Sequence, residues 1–173
     1  MKLEFGCGTK LTPGFLGVDV RKLHTVTYVC EAWNIEKHIK ANSIEAIKSR
    51  HFLEHLTFFD VERTLQAWHN ILMPDGCLMI EVPNMTFHAK QFLSDTRKTT
   101  MRTDLGQHRW NDETWSLKGF WGSQREVENG EIWDIHKSGY DFGLLEDLLT
   151  KHKFVDIQNK TVNVQNLYVE CKK

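Results

Sequence analysis

A short apolar strand that runs straight into a glycine turn constrains this chain more than any other stretch. Met1-Lys2-Leu3-Glu4-Phe5 reads as the strand and Gly6-Cys7-Gly8 as the turn. An open α/β sheet uses this arrangement to bring its backbone close to a nucleotide-like ligand. A second apolar run, Phe15-Leu16-Gly17-Val18-Asp19, ends in a carboxylate, the position from which doubly wound sheets hydrogen-bond the two hydroxyls of a ribose. Turn and acid together point to a ligand that carries adenosine.

Spacing narrows the ligand. Dinucleotide binding needs G-x-G-x-x-G, and the third glycine position here is Leu11, which counts against an NAD-dependent oxidoreductase. A P-loop needs glycine directly before Lys-Ser/Thr, and the chain has Gly8-Thr9-Lys10-Leu11, so that pattern fails too. The ligand left is S-adenosylmethionine, which has ribose and adenine but no phosphate. Leu3-Glu4-Phe5-Gly6-Cys7-Gly8 resembles motif I of the class I S-adenosylmethionine-dependent methyltransferases, and Leu16-Gly17-Val18-Asp19 resembles the end of their second strand. Ser49-Arg50-His51-Phe52-Leu53-Glu54-His55-Leu56 resembles the segment after the fourth strand in many small-molecule members, of the methyltransferase type 11-like subgroup.

The resemblance implies a fold: an α/β, Rossmann-like sheet, mostly parallel with an antiparallel last strand, its early helices shortened or missing as in a compact subgroup. It also implies S-adenosyl-L-methionine as cofactor. Gly6, Cys7 and Gly8 would hold the methionine part, Asp19 the ribose, and Glu31 with Ala32 the adenine edge, while Glu4 would shape the loop through hydrogen bonds to its backbone. Trp133-Asp134-Ile135-His136-Lys137 resembles a family segment that brings an Asp and a His toward the active site.

Local patterning agrees with that outline. The loops after Gly8 and after Asp19 are short for helical crossovers, which normally take about 10–12 residues; this leaves open which way the second and third strands pair. Ile35 to Ala41 could form a short helix, and Ser43 to Ile47 alternates as a strand should. Thr57 through Asp60 fits a capping box for a helix with Val61, Leu65, Trp68 and Leu72 on one face, stopped by Pro74-Asp75-Gly76. Cys77 to Val82 is apolar enough for a strand covered on both faces. Asp141 is placed to cap a helix carrying Leu144, Leu145, Leu148 and Leu149. Two alternating strands close the chain, joined too tightly for anything but an antiparallel pair.

With 173 residues, 40% of them apolar, the chain reads as one domain, 1–173, with enough apolar content for a single core. Inside it, 85–140 holds Trp110, Trp115, Trp121 and Trp133 together with His88, His108 and His136, and reads as a tryptophan-rich insertion or lid. A formal charge of −1 leaves no footprint for nucleic acid or an anionic membrane. Cys7, Cys30, Cys77 and Cys171 lie far apart, without a C-x-x-C pair, as reduced thiols of a cytoplasmic protein do. No charged and then apolar leader precedes Leu3, and no apolar run approaches a membrane span.

The expected chemistry is methyl transfer to a small-molecule or sugar-like acceptor. If that acceptor is a hydroxyl, a general base helps by about 10²–10⁴-fold, and histidine is the usual choice. His51, just beyond the fourth strand, is expected beside the cofactor or substrate, with His55 and His136 as further candidate bases. No metal is expected: His51 and His55 at i and i+4 would suit one helix face, but H-F-L-E-H puts the acid in the wrong place for H-E-x-x-H. The Asn/Asp-Pro-Pro-aromatic signature of amino-methylating nucleic-acid enzymes is absent after the fourth strand. The alternative reading is a catalytically inactive S-adenosylmethionine-binding regulatory or subunit module.

Overall fold

A computed structural model describes residues 1–93, 118–123, 127 and 129–173. Seven strands, β1 (Lys2–Phe5), β2 (Leu16–Asp19), β3 (Val26–Val29), β4 (Ile44–Arg50), β5 (Leu72–Pro83), β6 (Val155–Asn159) and β7 (Asn166–Lys172), form a single sheet in the order β3-β2-β1-β4-β5-β7-β6. The pairs β3/β2, β2/β1, β1/β4 and β4/β5 are parallel, while β7 runs antiparallel to both β5 and β6. The sequence left the direction of β2 and β3 open; both are parallel. Neither crossover contains a helix. In the first, Glu4 Oε2 accepts the Thr12 N–H at 2.6 Å, and turns closed by Lys10 N–H to Cys7 O and Phe15 N–H to Thr12 O return the chain to the sheet.

Helix α1 (Phe58–Ile71) packs its apolar face into the core against β5 and, through Trp68, against Phe5 of β1. Thr57 caps it, its hydroxyl oxygen accepting the Asp60 N–H at 3.2 Å. Val61, Leu65, Trp68 and Leu72 are all fully buried, the stripe that the 3.6-residue period predicts. Trp68 stacks on Phe5 with ring centroids 4.8 Å apart, which ties the helix to the strand that leads into the glycine turn.

Four details depart from expectation. Pro74-Asp75-Gly76 lies within β5, where the pairing with β4 shifts register between Ile44 and Ala46, and α1 has already ended at Ile71. Ala32–Lys37 forms a 3₁₀ helix where a helix from Ile35 to Ala41 was expected. In the stretch read as an insertion or lid, with no element assigned to it, Met85–Leu93 forms helix α2 and buries His88. In helix α3 (Phe142–Lys151), Asp141 caps Leu144 N–H at 2.9 Å, and Leu145, Leu148 and Leu149 are buried, but Leu144, in the first turn and at the edge of their stripe, is 40% exposed. Trp110, Trp115 and His108 lie outside the described residues. All four cysteines are free thiols. No helix among the described residues is long and apolar enough to cross a membrane.

Candidate functional site

The glycine turn is held by backbone geometry that only glycine adopts readily. Gly6 and Gly8 have φ of +64° and +52°, the left-handed region that penalises a Cβ. A Cβ at Gly6 would also run into the Phe52 side chain, 2.8 Å from its Cβ and Cγ, whereas at Gly8 it would meet only the Arg21 guanidinium at 3.5 Å. Gly17 is needed for another reason: a Cβ there would sit 2.6 Å from Cys7 Sγ. Cys7 thus faces inward, and burial pushes its thiol pKa up. The Thr25 hydroxyl donates to the Gly8 carbonyl, which closes the turn from the β3 side.

Asp19, 6% exposed, organises the rim of this turn. Its Oδ2 accepts the Gly8 N–H at 3.1 Å, and its Oδ1 accepts the Arg21 N–H at 2.9 Å and Arg21 Nε–H at 3.2 Å. Both oxygens are therefore engaged, and both meet the guanidinium of Arg21 on the cleft wall, since Nη2 also donates to Oδ2 at 3.4 Å. The cleft itself, about 260 Å³, opens at the carboxyl ends of β1, β2 and β4, where open sheets bind their ligands. Of the expected site residues, Gly6, Asp19, Glu31, Ala32, His51 and His55 line it. Glu4 and Gly8 support the wall through the hydrogen bonds just described; Cys7 and His136 lie behind it. Residues that the sequence did not single out also line it: Arg21, Trp33, Phe52, Asp60 and Lys137. Arg21 and Trp33 stand one or two positions from a motif and leave no periodic signal, while Phe52, Asp60 and Lys137 lie inside segments whose pattern does not give them a place in a site, so their convergence is a product of the fold.

The histidines meet around one buried acid. His51 has φ +49° and is followed by a 3₁₀ turn of three residues, Leu53–His55, so no helix exists on which His51 and His55 could share a face. His51 Nδ1 lies 3.2 Å from Glu54 Oε1, and Nε2 is 3.7 Å from Glu81 Oε1; the hydrogen bond to Glu54 holds the imidazole pKa above its usual value. Glu54 is 1% exposed, and its Oε2 has no hydrogen-bond partner among the described residues. His136 arrives from the far end of the chain because the Glu54 carbonyl accepts the Lys137 N–H at 2.7 Å and the Ser138 N–H at 3.2 Å. The rings of His55 and His136 stand edge to face, 5.1 Å apart. Burial holds the His136 pKa below the ordinary range. Carbonyls only accept, so His55 donates from Nδ1 to Ile135 O at 3.2 Å and His136 from Nδ1 to Gly119 O at 2.9 Å. In its neutral form each ring then has its Nε2 lone pair free to accept.

No family model and no curated protein matches the chain. Its backbone superposes on several solved structures. It is similar over 99% of its length to an S-adenosylmethionine-dependent methyltransferase from Archaeoglobus fulgidus, covering 85% of that chain with a TM-score of 0.61 at 15% identity. A second, from Mesorhizobium loti, gives a TM-score of 0.59 at 15% identity, over 99% of this chain and 90% of that one. A third is the 1,6-didemethyltoxoflavin-N1-methyltransferase of Burkholderia thailandensis, solved with 1,6-didemethyltoxoflavin and S-adenosylhomocysteine; the TM-score is 0.57 at 16% identity, over 99% and 70% of the two chains. With its strand order, antiparallel β7 and glycine turn, the chain has the fold of the class I S-adenosylmethionine-dependent methyltransferases.

Proposed function

We propose that the protein transfers a methyl group from S-adenosyl-L-methionine to a small-molecule or sugar-like acceptor. One observation carries this reading: Gly6, Asp19 and the adjacent pair Glu31 and Ala32, from three separate segments, line one cleft at the carboxyl edge of the sheet. In that cleft the backbone around Gly6 to Gly8 would receive the methionine part, Asp19 the ribose and Glu31 with Ala32 the adenine edge. The acceptor would enter from the side of His51, His55 and Lys137, under Trp133 and Asp134, so residues 85–140 act as the acceptor-side insertion or lid of a single domain, 1–173.

The reaction is an in-line displacement in which the acceptor–methyl bond forms as the sulfur–methyl bond breaks, releasing S-adenosylhomocysteine. Holding the two reactants at near-attack distance supplies about 7–11 kcal/mol of the barrier. A hydroxyl acceptor must also lose a proton. His51, which lines the cleft, is the residue we assign to receive it, with His55, also on the cleft wall, and His136 behind it as alternatives. The four free thiols favour a cytoplasmic setting.

Calorimetric titration with S-adenosylmethionine and with S-adenosylhomocysteine tests the donor site. Micromolar binding of both, the product form tighter, is expected. No heat with either, from folded protein, would remove the reading. The helix-free crossovers favour a second reading, cofactor binding without turnover. That reading predicts the same heats and no transfer of labelled methyl to any acceptor of a small-molecule panel.

A further inference from the structure

We propose that Glu54, His55 and His136 form a binding site for one first-row divalent transition-metal ion. One carboxylate oxygen and one ring nitrogen from each histidine lie within 4.8 Å of one another. Ligands on a common ion at about 2.0–2.2 Å stand roughly 3–4 Å apart, so small side-chain rotations close the cage. Three features beyond proximity point to a cation. Glu54 Oε2 is buried without a partner, and such an atom costs about 1–3 kcal/mol unless something positive or protic meets it. The two imidazoles each donate from Nδ1 to a backbone carbonyl, the outer hydrogen bond that fixes the tautomer and orients a metal-binding histidine. The remaining carboxylate oxygen, Oε1, is itself hydrogen-bonded, to His51 Nδ1 at 3.2 Å, as ligating carboxylates commonly are. One ligand atom from each residue thus lies within reach of a common ion, and Glu54 Oε2 meets no donor among the described residues.

Two imidazoles and one carboxylate suit zinc, cobalt, nickel or iron(II) rather than the oxygen-seeking magnesium and calcium. Three protein ligands leave at least one coordination position free. His55 also lines the cleft, so an acceptor oxygen could take that position and lose its proton more easily; that consequence, unlike the site itself, rests on the methyl-transfer reading. The pattern escaped the sequence because H-F-L-E-H directs attention to His51 and His55. The third ligand is His136, 81 residues beyond His55.

Chelator-treated protein titrated with Co(II), without S-adenosylmethionine, is expected to develop visible d–d bands that saturate at one ion per chain. His55→Gln and His136→Gln should each weaken Co(II) binding by at least about 100-fold, exceeding the 10–100-fold of an outer hydrogen-bond partner, with circular dichroism confirming that both variants fold. X-ray absorption on the zinc-loaded wild type needs no variant and should show two imidazoles and no sulfur. Absence of bands in folded wild type, or bands unchanged in both variants, or a sulfur ligand, would overturn the site. Because no cofactor is added, any of these outcomes leaves the donor-site reading untouched.

Discussion

At Gly6 and Gly8 the same residue type serves two different requirements, and substitution separates them. Gly8→Ala meets only the left-handed φ, about 1–2 kcal/mol, since the nearest atom to its new Cβ would be an Arg21 nitrogen at 3.5 Å. Gly6→Ala adds a clash with Phe52, and overpacking of this kind costs about 1–3 kcal/mol more. Urea unfolding should therefore rank Gly6→Ala below Gly8→Ala in stability; equal midpoints would show that Phe52 moves aside freely. Asp19 presents a competition instead. Arg21 Nε already occupies Oδ1 at 3.2 Å, so ribose hydroxyls, placed there by the proposed function, would have to displace the Arg21 guanidinium to reach the carboxylate. Its side chain is 40% exposed, and exposed pairs contribute about 0.2–1 kcal/mol. Arg21→Ala is expected to tighten S-adenosylhomocysteine by up to about fivefold, while Asp19→Ala loses about 1.5–3 kcal/mol of charged hydrogen bonding. Weaker binding by Arg21→Ala would mean that the guanidinium holds the ligand rather than competing with it.

Elements carried their own signals unevenly. Helix α1 was legible because its cap and apolar stripe are local; Val61, Leu65 and Trp68 are buried where the period put them, while its stop at Ile71, ahead of Pro74-Asp75-Gly76, was not. The β1 turn was legible for the same reason. The histidine cluster was only partly so: His51 and His55 stood out, but the role of Glu54 depends on a carbonyl that pins Lys137 and Ser138 from a distant segment, and no spacing within H-F-L-E-H encodes that. A second long-range contact, between α1 and the end of α3, gives a pH-dependent prediction. Lys151 Nζ donates to Glu62 Oε1 at 2.6 Å and His152 Nε2 lies 2.7 Å from Oε2. The Lys151 hydrogen bond, with a further contribution from His152, holds the Glu62 carboxyl below its usual 4.5. A depressed carboxyl stabilises the fold fully above its unfolded value and loses that contribution as pH falls through the folded one. Glu62→Gln should cost about 0.5–1 kcal/mol near pH 7, a gap that closes as the pH drops below 4.5. A gap that stayed constant from pH 7 into acid would mean the pair does not couple the helices electrostatically.

For the whole molecule, the proposed donor cleft and the sheet share their residues: β1 and β2 supply central parallel pairs and also Phe5, Val18 and Asp19 of the cleft lining. Ligand binding should therefore register as global stability rather than as the tightening of a peripheral loop. A ligand that binds only the folded state stabilises by about 2.7 kcal/mol at a hundredfold excess over Kd. For a chain of 173 residues, each kcal/mol shifts Tm by about 2–4 °C, so S-adenosylhomocysteine at that excess should raise Tm by about 5–11 °C. The shift should grow with the logarithm of ligand concentration, and all probes should report it together, because far-UV dichroism follows the sheet while tryptophan emission includes Trp68 against Phe5. NADH at the same concentration should leave Tm unchanged, since Leu11 stands where the pyrophosphate-binding glycine would be. A shift with NADH and none with S-adenosylhomocysteine would reverse the ligand assignment while leaving the fold as described.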